Sequence, residues 1–232
     1  MGILYNRFTE QSLQSLIPYS NQSNILTYLV PSSFKGSSST IWGDDYPMPL
    51  VRYTSSSGIW QYSSADDSVY LQGHYTITPG EGLSKFTVYM VVEWNVISGT
   101  TNPPCFALIK GNYYDRIYGK YGENVRALLD GATSYASVLT PEIPSYLSYH
   151  VYAFRRCVGK FCHVIDDQNL VSISAPNYTN ITTKNFAFRN IVRSDTYEYS
   201  ANVKFLSIVN GEESDATILN NVNNIRIRLN LP

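Results

Sequence analysis

Side chains able to do chemistry are thinly spread along this 232-residue chain, and those that cluster suit recognition better than reaction. Asn112-Tyr113-Tyr114-Asp115-Arg116 sets two phenol rings beside an amide, a carboxylate and a guanidinium, near a loop. Trp42, Asp44, Asp45 and Tyr46 form a second aromatic and acidic group, and Trp60 with Tyr62 a third. A rigid aromatic ring can lie against the apolar face of a sugar while polar neighbours bond its hydroxyls. The candidate carbohydrate-binding residues are therefore Trp42, Asp44, Tyr46, Trp60, Tyr62, Tyr113, Tyr114 and Arg116. The plainer use of such rings is to cover the edges of packed sheets.

Catalysis finds less support. Glycoside hydrolysis needs two carboxyl groups about 5–10 Å apart across the scissile bond, one of them held protonated. Glu93, Asp115, Glu123, Asp130 and Glu142 each stand alone on different segments. Glu212, Glu213 and Asp215 do cluster, but at the start of an expected helix, where carboxylates offset the dipole. His74, His150 and His163 show no ligand spacing, and no phosphate loop, HExxH or GxSxG phrase occurs. No catalytic residue is assigned, and an enzyme is not expected.

No cofactor is assigned either. Calcium stays open, because Asp44-Asp45, Asp66-Asp67 and Asp166-Asp167 can offer oxygen ligands, though paired Asp in turns is common without metal. Three cysteines, an odd number, argue against a disulfide framework. With Gly159-Lys160 as a two-residue turn, Cys157 faces Cys162 at a Cα separation of about 4.5 Å, the short end of the disulfide range. Spacing alone leaves that pair bonded or reduced. Cys105 reads as a small buried apolar residue.

These groups must be carried by strands. From Lys85 to Trp94 the chain alternates, with Phe86, Val88, Met90, Val92 and Trp94 on one side. Successive strand side chains point to opposite faces, so one face is wholly apolar. Val69 to Ile77 alternates in the same way, with Tyr70 and Gln72 outward, and reads as one strand. Ile25–Val30, 106–109, 116–119, 125–129, 149–155, 161–165, 170–174, 186–191 and 203–209 read as further strands. The last segment, Ile225 to Leu231, alternates as cleanly, with Arg226, Arg228 and Asn230 outward. A short helix is expected at Ser214–Asn221, capped by Ser214 or Asp215. Another is expected in the first 24 residues, where Leu13, Leu16 and Ile17 follow Thr9 at helical spacing and Pro18 ends the turn.

Many short strands with turns between them and no crossover helices predict an all-β, antiparallel β-sandwich over residues 25–232, preceded by an N-terminal arm, 1–24. Hydrophobic residues at 44% suffice for a sizeable core. Charged residues make up only 15% and the net charge is -1, so neither nucleic acid nor an anionic membrane is an expected partner. No apolar run is long enough to span a bilayer as a helix, so no membrane insertion is expected. Met1–Arg7 lacks a basic region followed by an apolar stretch, and Asn6 stands where myristoylation needs Ser or Thr. The expectation is synthesis in the cytosol. On that expectation the acceptor patterns at Asn21, Asn177 and Asn180 are coincidental.

Three phrases in order give the chain a resemblance to the concanavalin A-like lectin/glucanase jelly roll, in particular its laminin-G-like branch. They are Phe86-Thr87-Val88-Tyr89-Met90-Val91-Val92, then Tyr149-His150-Val151-Tyr152-Ala153-Phe154 leading to Val164-Ile165-Asp166-Asp167, and Val203–Asn210 followed by Glu213-Ser214-Asp215-Ala216-Thr217-Ile218. Departures are Gln168-Asn169 after Asp167 where the family has Gly, and only a loose echo of its early W-D-x-S-G phrase at Trp42-Gly43-Asp44-Asp45. The compact acidic strand motif of hydrolases on this fold is missing. Tyr118-Gly119-Lys120-Tyr121 resembles the tyrosine strand of jelly-roll alginate lyases without its accompanying Q-I-H phrase.

A superfold hosts many functions, so the resemblance implies fold first. Joined to the expectation of cytosolic synthesis, it implies a non-enzymatic virion surface protein: a phage tail fibre, tail component or capsid decoration. Residues 1–24 would join other virion proteins, the chain would form a homo-oligomer, and the sandwich would bind a host glycan. The alternatives are a free carbohydrate-binding module, or a glycan hydrolase or lyase on the same fold.

Overall fold

The alternating segment forms a strand, Phe86–Asn95, in the middle of one of two stacked antiparallel sheets. The structure is a computed structural model, and it describes residues 16–31, 40–42, 50–52, 59–72, 75–77, 82–95, 104–110, 113–118, 124–130, 135–142, 148–174, 185–190 and 200–231. The first sheet runs, in spatial order, β14 (Val171–Ser174), β13 (Lys160–Ile165), β12 (His150–Cys157), β7 (Phe86–Asn95), β16 (Ser200–Asn210), β5 (Ser68–Gln72) and β4 (Ile59–Ser63). β1 (Ile25–Leu29) also pairs with β16. The second sheet runs β11 (Tyr135–Glu142), β10 (Asn124–Asp130), β9 (Tyr113–Tyr118), β8 (Pro104–Lys110), β15 (Asn185–Asn190), β6 (Tyr75–Ile77), β3 (Leu50–Arg52) and β2 (Thr40–Trp42).

Phe86, Val88, Met90, Val92 and Trp94 all bury completely between the sheets. Phe86 meets Phe186 of the opposite sheet edge-on at 5.0 Å, and Trp94 lies 6.3 Å from Phe188. Each such side chain contributes roughly 1.5–3 kcal/mol by leaving water. The expected sandwich forms.

A second apolar cluster lies on the other side of the first sheet. There Tyr89, Val91, Val151, Ala153, Val164, Phe205 and Val209 pack under a helix, α1 (Asp215–Leu229), and under Leu16 and Ile17. Ser214 caps α1 by accepting from the Thr217 amide at 3.0 Å, and Arg155 pairs with Asp215 at 2.6 Å. The buried stripe of the helix is Ile218, Asn221, Val222 and Ile225, at spacings of three, one and three. Asn221 is admitted to this stripe because its amide is fully bonded. It donates to Tyr89 Oη (3.0 Å) and Ser20 Oγ (2.8 Å), and its Oδ1 accepts from the Tyr19 amide (3.1 Å).

Several expectations are corrected. Ile225–Leu231 is not a strand: the helix begun at Asp215 runs on to Leu229 and is capped by Asn230 in the left-handed region. The polar Asn221 hid the helical stripe, while the Ile/Arg alternation beyond it imitated a strand. Val69–Ile77 is two strands, β5, ending at Gln72 in the first sheet, and β6, beginning at Tyr75 in the second. Leu16–Ser20 forms bends and a turn rather than a helix, and Leu13 lies outside the described residues. The β12–β13 hairpin turns at Val158-Gly159, with Gly159 at φ 68, so Cys157 faces Lys160 and Cys162 faces Arg155. Both cysteines are free and buried.

Candidate functional site

The apolar cluster beneath α1 ends along a line through Val151, Val91 and Phe205. One step further along each strand the outward side chains become polar. β16 changes partners there: Leu206–Val209 pairs with β1, Ser200–Val203 pairs with β5, and a bulge at Lys204 divides the two stretches. Beyond the bulge the registers align Gln61 with Tyr70, Tyr70 with Asn202, and Asn202 with Glu93. Val92 faces His150, which brings Tyr149 beside Glu93. Gln61, Tyr70, Asn202 and Glu93 thus form one outward row across four strands, about 14 Å long at the usual strand spacing.

Within this row Asn202 Nδ2 donates to Glu93 Oε2 at 2.7 Å. The Tyr70 hydroxyl reaches Gln72 Oε1, two residues along its own strand, at 3.4 Å. Residues two apart on a strand are about 6.8 Å from each other, so Tyr70 and Gln72 lean toward one another on this face. The result is a shelf with an aromatic ring, two amides and a carboxylate.

One side of the shelf is bordered by a polar cluster that reaches from the start of β12 to the β4–β5 turn. Tyr149 Oη donates to Asp66 Oδ2 at 2.6 Å, Ser68 Oγ donates to Asp66 Oδ1 at 2.9 Å, and Lys204 Nζ sits 4.4 Å from the centre of the Tyr149 ring. Partial burial pushes the Asp66 carboxyl up, but hydrogen bonds from Tyr149, Ser63 and Ser68 and the Lys204 charge outweigh it and hold the group below its ordinary range. Burial, then the bond to Asp66, drives the Tyr149 phenol far above its usual range, so it remains a neutral donor. A carboxyl held ionised in this way is the opposite of the proton donor that sugar hydrolysis requires.

Beneath the shelf Ser148 Oγ lies 3.2 Å from His150 Nε2, and His150 Nδ1 lies 2.6 Å from Asp166 Oδ2. A hydroxyl, an imidazole and a carboxylate in that order can serve nucleophilic catalysis. Here the imidazole is only 5% exposed and meets Tyr152 edge-on. Asp166 commits Oδ1 to the Val151 amide at 2.8 Å, and its own amide bonds Val151 O at 2.9 Å. The chain of bonds latches the start of β12 to the end of β13. It is a fastening.

No family model and no curated protein matches the sequence. Solved structures do match. The binding domain of botulinum neurotoxin DC in complex with rat synaptotagmin II aligns with a TM-score of 0.62 at 13% identity, over 88% of this chain and 52% of that one. The same domain in complex with SialylT gives 0.61 at 13%, over 87% and 52%. The binding domain of Paraclostridial Mosquitocidal Protein 1 gives 0.60 at 11%, over 87% and 52%. The likeness is one of fold. The chain spans about half the length of these binding domains.

The structure distributes the sequence-derived candidates over both sheets. Trp60 and Tyr62 lie on β4, the edge strand that also carries Gln61 of the shelf. They share the inward phase of Leu71 and Val69; Trp60 packs against the main core, while Tyr62 is 39% exposed and donates to Asp67 at 3.0 Å. Tyr113, Tyr114 and Arg116 lie on β9, of which Tyr113 is the first residue. Trp42 lies on β2, the edge of the same sheet, with four strands between it and β9. Five strand spacings amount to about 24 Å, so Trp42 and the β9 group do not share a sugar-sized site. Asp44, Asp45 and Tyr46 lie outside the described residues.

Among the described residues no three carboxylate, histidine or cysteine side chains group as metal ligands. Asp66 and Asp166 are engaged by protein donors, and Asp167 lies 3.7 Å from Arg226. Tyr70, Glu93, Tyr149, Asn202 and Lys204 are not recognisable as a group in the sequence. Only the outward phase of Tyr70 and Gln72 was available there; the row joins residues far apart in the chain.

Proposed function

We propose that this chain is a non-enzymatic recognition domain of concanavalin-like fold that binds carbohydrate on a cell surface. The observation that carries the reading is the shelf: an outward aromatic ring beside amide and carboxylate groups in one row across the sheet. This is the combination that grips a sugar by one apolar face and its hydroxyls. The fold shared with toxin binding domains, one of them in complex with SialylT, supports it. Trp60 and Tyr62, next to Gln61 on β4, extend the contact surface, and Trp42, Asp44, Tyr46, Tyr113, Tyr114 and Arg116 are held as secondary candidates. The test is binding of the purified domain to a broad glycan array. Specific hits are expected; none at high protein concentration would end the reading.

The finer form of the proposal places the domain on a virion surface, as a homo-oligomer displayed through its N-terminal residues. A low-charge composition rich in Tyr, Ser and Asn supports it. Leu16 and Ile17 are packed against β1 and α1, so the truncation that tests attachment stops at residue 15. Loss of particle assembly with a folded sandwich is expected. A truncated protein that still assembles would refute display by that segment.

A further inference from the structure

We infer that the shelf formed by Gln61, Tyr70, Asn202 and Glu93 is the glycan site, and that it takes a neutral oligosaccharide while rejecting sialylated or otherwise anionic ones; this rests on the carbohydrate-binding reading above. The charges decide the class of ligand. Among the described residues Lys204 is the cation at the shelf, and it is committed, with its ammonium against the Tyr149 ring and its charge acting on Asp66. Glu93 stands in the row itself with an amide, not a cation, bonded to it. Asp66, bonded by the Tyr149 phenol, adds a second carboxylate beside the row. Among the described residues Asp66 and Glu93 outnumber Lys204 here, so a ligand carboxylate laid along this row would meet net negative charge, which opposes binding. Sugar hydroxyls would instead donate to Glu93 and to the amide oxygens.

Geometry sets which ring does the stacking. One face of Tyr149 is already covered by Lys204, and its hydroxyl is held by Asp66. Tyr70 stands in the row itself, half-buried, with its hydroxyl at Gln72, and is the ring assigned to stacking. The row of about 14 Å fits a short oligosaccharide rather than a single sugar. Gln61, exposed on the edge strand, marks the outer end and Glu93 the inner one.

The experiment compares the intact chain with Tyr70→Ala, Gln61→Ala and Glu93→Gln on an array carrying neutral oligosaccharides and the sialylated counterpart of each. Affinities of the hits are then measured by calorimetry, and thermal melting confirms folding of each variant. Neutral hits are expected, at least tenfold tighter than their sialylated forms. Tyr70→Ala should weaken them at least tenfold and Gln61→Ala severalfold. Glu93→Gln keeps an acceptor for Asn202, and should narrow the neutral-over-sialylated preference. Gln61 is exposed on an edge, so a folded variant is available even if Tyr70→Ala unfolds. Preference for sialylated glycans, or neutral hits untouched by both Tyr70→Ala and Gln61→Ala, would overturn this inference and leave carbohydrate binding standing. An array with no hits at all would overturn both.

Discussion

Acidification should weaken this fold through His163. The side chain sits on β13 between Phe154 and Val171 in the sheet register, 5% exposed, and neither ring nitrogen has a hydrogen-bond partner. Burial alone lowers its pKa from 6.5 to about 4. The folded state therefore resists a proton that the unfolded chain accepts readily. Stability is complete above about pH 6.5 and falls as the pH drops toward about 4, where the folded state also protonates. Two and a half pH units at about 1.4 kcal/mol each make the loss roughly 3 kcal/mol across that window. His163→Leu removes both the proton and two unsatisfied nitrogens at similar volume, so it should also stabilise the protein at neutral pH, by about 1–3 kcal/mol. Urea unfolding of both proteins, followed by tryptophan fluorescence from about pH 7.5 to about pH 4.5 at fixed ionic strength, reads the difference directly. Every other titrating group cancels between the two curves. A gap that stays constant with pH would refute the reasoning.

Two further outcomes follow from the packing around α1. Ile225 is completely buried and Ile227 is 69% exposed, whereas a strand would bury both. Ile225→Ala should cost about 2–5 kcal/mol in chemical denaturation and Ile227→Ala within about 0.5 kcal/mol; equal losses would contradict the helix. Tyr89→Phe deletes the hydroxyl that donates to Glu213 Oε2 and accepts from Asn221, while Glu213 Oε1 already lacks a partner. A loss of about 1–3 kcal/mol is expected, read as a lower denaturant midpoint at unchanged slope, and an unshifted midpoint would remove Tyr89 from the interactions that hold α1 down.

Alternation in the sequence was enough to assign the central strand, its buried face and the antiparallel sandwich, because side-chain phase along a strand is local. Ser214 likewise announced the helix start, since a cap is satisfied within one turn. Where local signals competed, tertiary contacts decided. The run from Ile225 to Leu231 has a strand-like period, yet it continues a helix whose stripe is closed by Asn221, a polar residue that buries only because Tyr89, Ser20 and Tyr19 meet its amide. A turn placed one residue earlier moved Cys157 away from Cys162, and one apparent strand was split into β5 and β6, which belong to different sheets.

The shelf lies beyond sequence for the same reason. Gln61, Tyr70, Glu93, Tyr149 and Asn202 are neighbours only because four pairings fix register across the sheet. A slip of one residue in any of them would turn that strand's side chains to the opposite face. Phase along each strand belongs to the sequence; which residues stand side by side is settled when the strands pair.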